Sequence, residues 1–215
     1  MKKINLLKSI KKVKRQINKR KLNKSKNTIK IANQFGKEYF DGSRKYGYGG
    51  YCYDGRWKKV VKDFIKYYNL KPGDKVLDIG CAKGYLIKDF LEKKIDAYGV
   101  DISDYAIKNC HPNVKSRLRI NNAKKLPFNN NSFKLVISIN TLHNLNKNDC
   151  KKAIKEIMRI SSKHTYIQVD AYRNEEEKKI FKDWVLTAKF HTYCNKWEQF
   201  FEEIKYKGEY YWTFV

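Results

Sequence analysis

The stretch Val76-Leu-Asp-Ile-Gly-Cys-Ala-Lys-Gly84 decides the fold. It begins apolar and reaches an acid and two glycines, which reads as a buried strand running into a tight turn that opens a helix. In an open α/β sheet, ligands bind at the carboxyl ends of the strands where the connections diverge. Gly80 and Gly84 let the backbone pass close to a ligand, and a helix starting near Gly84 presents unpaired amides there. A dinucleotide fingerprint requires G-x-G-x-x-G. Here the spacing is Gly80-x-Ala82-x-Gly84, a tighter turn without space for a pyrophosphate, so the pattern points away from a dinucleotide.

Outward from this turn, strand and helix patterns alternate. A helix is expected at 55–69, a turn at Lys71–Asp74 and a strand at Lys75–Ile79. Helix 84–93, strand 97–101, helix 104–110, strands 117–120 and 133–139, helix 147–161 and strand 165–170 follow. Helices at 174–190 and 195–204 come next, then a strand Tyr210–Val215 that the Lys207-Gly208 turn would bring back antiparallel. The fold class is α/β: a Rossmann-like, doubly wound, mostly parallel seven-stranded sheet with helices on both faces and an antiparallel last strand.

The 215 residues suffice for one such domain, and a 41% apolar share fits a folded chain. The net charge of +26 argues for an anionic neighbour. Residues 1–37 carry 14 Lys/Arg and no acid, so the tail is the basic part. Lys, Asn and Ile are abundant throughout, which a low-GC genome produces unaided, so charge is weak evidence of function. The five cysteines show no CxxC spacing and an odd count, against a disulfide framework or a zinc knuckle. No apolar run approaches the roughly 18 residues of a bilayer span. Met1–Ser9 has neither an apolar h-region nor a cleavage site. A cytoplasmic protein is expected, at most peripheral to the inner membrane surface.

With three motifs in order, the chain resembles the class I S-adenosylmethionine-dependent methyltransferases. Strand one of that family ends D/E-x-G-x-G-x-G, matched by Asp78, Gly80 and Gly84; strand two ends in an acid, matched by Asp101 in Tyr98-Gly-Val-Asp101. Asn121-Asn-Ala-Lys-Lys-Leu-Pro-Phe-Asn-Asn-Asn-Ser-Phe133 is similar to the family's G-D-A-x-x-L-P-F-x-D-N-S-F stretch. The resemblance covers residues 55–170 well and the last 45 only in outline. It implies S-adenosylmethionine as cofactor, lined by Asp78, Gly80, Cys81, Gly84, Asp101, Ile102, Asn122, Ala123 and Asn140, with Asp101 on the ribose hydroxyls. Ala82 replaces the middle glycine, which the turn tolerates if that residue does not need positive φ. Asn122 stands where the family often has an aspartate for the adenine amino group, and its carbonyl can serve equally.

Several chemistries are excluded. The segment Ser138-Ile-Asn-Thr-Leu-His143 lacks the N/D-P-P-Y motif of adenine or glutamine N-methylation, and no proline precedes a cysteine as cytosine C5 chemistry requires. Asn140 stands where the metal-dependent catechol type has a carboxylate, so no metal is expected. His143, just past strand four, is a candidate base, because an imidazole is the side chain suited to accepting a hydroxyl proton at neutral pH, or else a loop-orienting or helix-capping residue. Asp170, ending strand five, is the second catalytic candidate or a cap for the next helix.

Two flanking regions complete the reading. Residues 1–35 form a basic extension with Leu7, Ile10, Val13 and Ile17 as one apolar stripe, fit for an anionic surface or for packing on the protein's own body. Residues 36–57 hold six of the eleven glycines and seven aromatics, a substrate loop offering Tyr46, Tyr48, Tyr51 and Arg56, with Tyr172 beside it. Residues 58–215 are the methyltransferase domain. The resemblance extends to bacterial enzymes in which a Y-G-Y-G-G-Y segment precedes the motif and the acceptor is a surface polysaccharide or related metabolite. The expectation is O-methylation of a small molecule or glycan precursor without an obligate protein partner. The alternatives are an RNA methyltransferase whose basic tail contacts phosphates, against which no RRM, KH or OB signature is present, and a non-catalytic domain on this fold.

Overall fold

The computed structural model describes residues 1–11 and 14–215. Its strands are β1 (Lys2–Lys3), β2 (Lys75–Ile79), β3 (Asp96–Asp101), β4 (Leu118–Ile120), β5 (Phe133–Ile139), β6 (Ser161–Asp170) and β7 (Glu209–Thr213). They form one sheet in the order β1-β7-β6-β5-β2-β3-β4. Every pairing is parallel. The chain runs from β2 outward through β3 and β4, then returns to β5 on the other side of β2. The divergence between β2 and β5 is the switch point where such sheets bind ligands.

The last strand corrects the expected antiparallel return. Tyr166 pairs with Glu209 and Asp170 with Thr213, so β7 runs with β6. Helices α8 (Glu175–Trp184) and α9 (Cys194–Glu203) carry the chain back to the amino-terminal edge before β7 begins. A helical crossover delivers a parallel strand, whereas the Lys207-Gly208 turn joins a helix to a strand and makes no hairpin.

Helices cover both faces. On one, α4 (Trp57–Tyr68) buries Val60, Val61, Phe64 and Tyr68 against Leu86, Ile87 and Phe90 of α5 (Tyr85–Leu91). The 3- and 4-residue spacing of those side chains makes a lysine-rich helix amphipathic. On the other face, α7 (Lys147–Ile160) buries Ala153, Ile154 and Ile157, while α9 adds Trp197 and Phe201, the latter stacked on Trp212 of β7 at 5.9 Å. Each such large apolar side chain contributes roughly 1.5–3 kcal/mol. Residues 121–132 form no helix between β4 and β5. Below them a cavity of about 300 Å³ is lined by Tyr98, Arg117, Arg119, Phe128 and Phe133, away from the glycine turn.

The basic extension also departs from expectation, since it is not one amphipathic helix. Lys2 and Lys3 pair with Glu209 and Tyr210 as an edge strand. Leu6 is buried, and Leu7 and Ile10 pack against the α4/α5 core. Val13 lies outside the described residues, and Ile17 begins a separate helix, α1 (Ile17–Leu22), followed by α2 (Lys26–Ala32). The free edge of β7 and the apolar surface beside α4 override the local helical spacing. Among the described residues, no helix is long and apolar enough to cross a membrane.

Candidate cofactor and substrate site

The carboxyl ends of β2, β3 and β5 bring the motif residues together. Gly80 and Gly84 adopt φ of +83° and +76°, and a Cβ on Gly80 would run into the Thr141 side chain after β5. Gly84 precedes α5, where a Cβ would press on Val114 and Leu118. Ala82 also sits at positive φ, +50°, so the turn does demand the left-handed conformation that alanine adopts only at a cost of about 1 kcal/mol. Its amide donates to Asp101 Oδ2 at 2.8 Å, and the Ser103 amide donates to Oδ1 at 2.8 Å. These two bonds fix the carboxylate and tie the β2 turn to the end of β3.

Asp78 is the electrostatic anomaly. It is buried and has no hydrogen-bond donor among the described residues. Burial first, then the neighbouring Asp101 charge, pushes its pKa up to about 7. Cys81 is buried beside it, and both the Gly80 and Cys81 amides donate to Val100 O. Ile102, just past the end of β3, and Ile120 of the adjacent β4 leave apolar side chains 55% and 49% exposed, a shelf suited to the face of a base. Asn122 is exposed and its carbonyl caps the Lys124 amide, with Ala123 half-buried next to it. Asn140, at φ +53°, accepts from the Thr213 hydroxyl at 2.7 Å and bonds Gln168 through its amide. The residues present fit the cofactor that the resemblance implies. The orphaned Asp78 carboxyl suits an ammonium, Asp101 retains lone pairs for paired hydroxyls, and the glycine turn leaves room where side chains would intrude.

The two catalytic candidates prove to be neighbours. His143 is buried in a short 3₁₀ turn, Leu142–Asn144, with Nδ1 accepting from the Asp170 amide at 3.0 Å. That bond leaves the neutral ring's proton on Nε2, which faces Asp170 Oδ2 at 3.5 Å. Neither nitrogen of this tautomer offers a free lone pair. The Asp170 side chain is more exposed than that of His143, at 16% against 5%.

Residues 36–57 fold over this end of the sheet. Asp41 accepts from Lys83 Nζ at 2.6 Å, from the Tyr105 hydroxyl at 2.8 Å and from the Tyr51 amide at 3.1 Å. Tyr51 stacks on Tyr85 at 5.1 Å and meets Tyr48 at 4.6 Å. The Asp78 charge helps hold the Tyr51 hydroxyl protonated, after burial. Tyr39 packs on Tyr48 and lies within the fields of both Asp170 and Asp101. The remaining substrate candidates stand apart. Arg56 is exposed and paired with Asp54, Tyr46 lies under Lys45, and Tyr172 is buried against Phe181, Tyr193 and His191. Sequence reasoning missed Asp41, Lys83 and Thr141. A lysine inside the glycine turn and an acid inside an aromatic loop were the signals available.

This strand order, with acid-tipped strands flanking a glycine turn, defines a Rossmann-like domain. Residues 77–169 match the methyltransferase domain family. That match covers less than half of the chain and is to a methyltransferase domain, for which S-adenosylmethionine is the implied cofactor. A solved S-adenosylmethionine-dependent methyltransferase of Archaeoglobus fulgidus superposes with a TM-score of 0.57 at 21% identity, covering 80% of this chain and 72% of that one. An uncharacterised protein of Methanocaldococcus jannaschii is 34% identical over 58% of this chain and 46% of its own length. A demethylmenaquinone methyltransferase of Symbiobacterium thermophilum is 32% identical over 37% of this chain and 36% of its own length. The match thus spans less than half of either curated relative.

Proposed function

We propose that this protein transfers a methyl group from S-adenosylmethionine to a hydroxyl of a small molecule or glycan precursor. The observation that carries the reading is the convergence of the Asp78/Asp101 cofactor end, the Asp170/His143 pair and the tyrosines of 36–57 at one edge of the sheet. When bound, the cofactor supplies an electrophilic methyl that needs alignment more than activation. Asp101 holds the ribose hydroxyls, and Asp78 pairs with the methionine ammonium. Asp170 orients the accepting hydroxyl and receives its proton, while His143 fixes the Asp170 backbone and carboxylate as a positioning group. Tyr39, Tyr48 and Tyr51 give flat, hydroxyl-bearing contact area suited to a sugar ring. The RNA reading draws less support, because Arg15 and Arg20 of the basic extension turn inward onto Trp184.

The test is to give the full chain S-adenosylmethionine labelled in the methyl group together with fractionated extracts of its own cell, and to identify what becomes labelled. A phosphate-free glycan or metabolite carrying a new methyl ether, or a phosphorylated one, supports the reading. Label confined to RNA or protein would overturn it.

A further inference from the structure

Trp184, the last residue of α8, collects three arginines, two from the basic extension and one from the 36–57 cover. The guanidinium carbons of Arg15, Arg20 and Arg44 lie 5.3, 4.7 and 5.2 Å from the centre of its ring. Arg15 precedes α1, Arg20 is buried within α1, and Arg44 belongs to the 36–57 cover. Cations gathered on one ring repel one another, and cation–π attraction of about 0.5–2 kcal/mol each offsets only part of that. Among the described residues, no carboxylate lies within ion-pair distance of any of the three, although 14 such pairs exist elsewhere on the molecule. Lys21, next to Arg20, does have its acid, Asp183. The arginines are therefore a set without its counter-charge.

The positions of the three differ in a useful way. Arg20 donates to Lys45 O and Gly47 O, both at 3.1 Å, so it braces the cover. Arg44 also reaches Gly47 O. Arg15 is half-exposed, and the nearest influential acid is Asp170, whose field favours its charged form against the cost of burial. Burial and the Arg44 charge together hold Arg20 down to about 10, so an arriving anion would relieve it. Tyr39 also lies within the field of Asp170, and so stands on the same side of the site. Arg15 thus lies within the field of Asp170, the group assigned to the accepting hydroxyl.

We infer that Arg15, Arg20 and Arg44 on Trp184 form a subsite for a phosphoryl group of the substrate. A carboxylate carries one charge and two acceptor oxygens, which a single guanidinium fork can satisfy. A phosphoryl group carries a charge of about −1.5 to −2 and three strong acceptors, which calls for several forks meeting from different directions. The subsite rests on the methyltransferase reading only for its role, since anion binding itself requires no cofactor. It narrows the acceptor to a phosphorylated small molecule, such as a sugar phosphate.

The test is calorimetric titration of the full chain with inorganic phosphate and with glucose 1-phosphate, using acetate at equal ionic strength as control. Saturable one-site binding of both phosphates is expected, together with a phosphate-dependent rise in melting temperature. Arg15→Gln and Arg44→Gln should each weaken it at least tenfold, and Lys21→Gln should leave it unchanged. Arg20 is spared because both of its terminal nitrogens brace the cover, and Arg44→Gln, which gives up one contact with Gly47 O, is read with its melting temperature alongside. Non-saturable binding by the parent protein, equal binding of acetate, or full retention in both arginine variants overturns the subsite. Affinity for S-adenosylmethionine, measured in parallel, should be unchanged by Arg15→Gln. A parent that binds phosphate but no S-adenosylmethionine would remove the methyltransferase reading and leave the subsite standing.

Discussion

The two sides of the cleft are built by opposite means. On the cofactor side, Asp78, the Gly80–Gly84 turn and Asp101 lie within 24 residues of sequence, on two adjacent strands whose register sets their spacing. On the proposed substrate side, Arg15, Tyr39, Arg44, Asp170 and Trp184 come from four segments, the extension, the cover, the end of β6 and α8, and meet only when the extension and the cover pack onto α8. The first side is a local geometry that any chain with this pattern adopts. The second is an outcome of packing, so it can differ between chains that share the first.

The comparison breaks most visibly at Asp170. If the substrate side carries the proton, Asp170→Asn should lower kcat by roughly 10²- to 10⁴-fold with cofactor affinity nearly unchanged. His143→Asn retains an acceptor for the Asp170 amide and should keep most of the rate, whereas His143→Leu should lose it. Equal losses in both histidine variants, with the ascending acid-side limb of the pH profile removed, would restore the imidazole as the base.

The cofactor side should show its stored electrostatic cost as pH dependence. Asp78 ionises near 3.8 unfolded but near 7 folded, so the folded state binds the proton more tightly. Its contribution is fully present below pH 3.8 and is lost as pH rises to 7, a difference of at most about 4 kcal/mol. Denaturant melts of parent and Asp78→Asn should therefore diverge across that window, the variant gaining at neutral pH. If Asp78 pairs with the ammonium of S-adenosylmethionine in its ionised form, as proposed, the parent's affinity should rise between pH 6 and 8. An affinity flat over that range would remove Asp78 from the ammonium.

Smaller effects sharpen the contrast further. Asp101→Ala should cost about 1.5–3 kcal/mol of cofactor affinity by calorimetry, since two hydroxyl interactions with a charged acceptor disappear. Deleting residues 1–32 should remove both Arg15 and Arg20 from the substrate side. It also exposes the β7 edge and the core under Leu6, so stability must be measured alongside binding. Ala82→Gly should stabilise the ligand-free protein by about 1 kcal/mol or less, because glycine reaches φ +50° without strain but loses more chain entropy on folding.

The β2 turn, the acids and the strand alternation were readable because each depends on residues close in sequence and on periods that backbone geometry imposes. Three features were not. The spacing of Leu7 and Ile10 suits a helix, yet the vacant edge of β7 draws Lys2 and Lys3 into the sheet. The turn at Lys207-Gly208 looks like a hairpin until α9 is seen to have already reversed the chain. Ala82 gives no sign in its side chain that its backbone is left-handed.

The sequence by itself therefore determined the parallel α/β core, the position of the cofactor turn and the two acids that flank it, since alternation and a glycine at a forced φ are properties of local chain stereochemistry. Only the tertiary structure decided the direction of β7, the pairing of His143 with Asp170 and the gathering of three arginines on Trp184. Those depend on which surfaces remain unburied after the core forms, and that is a property of the whole chain's packing.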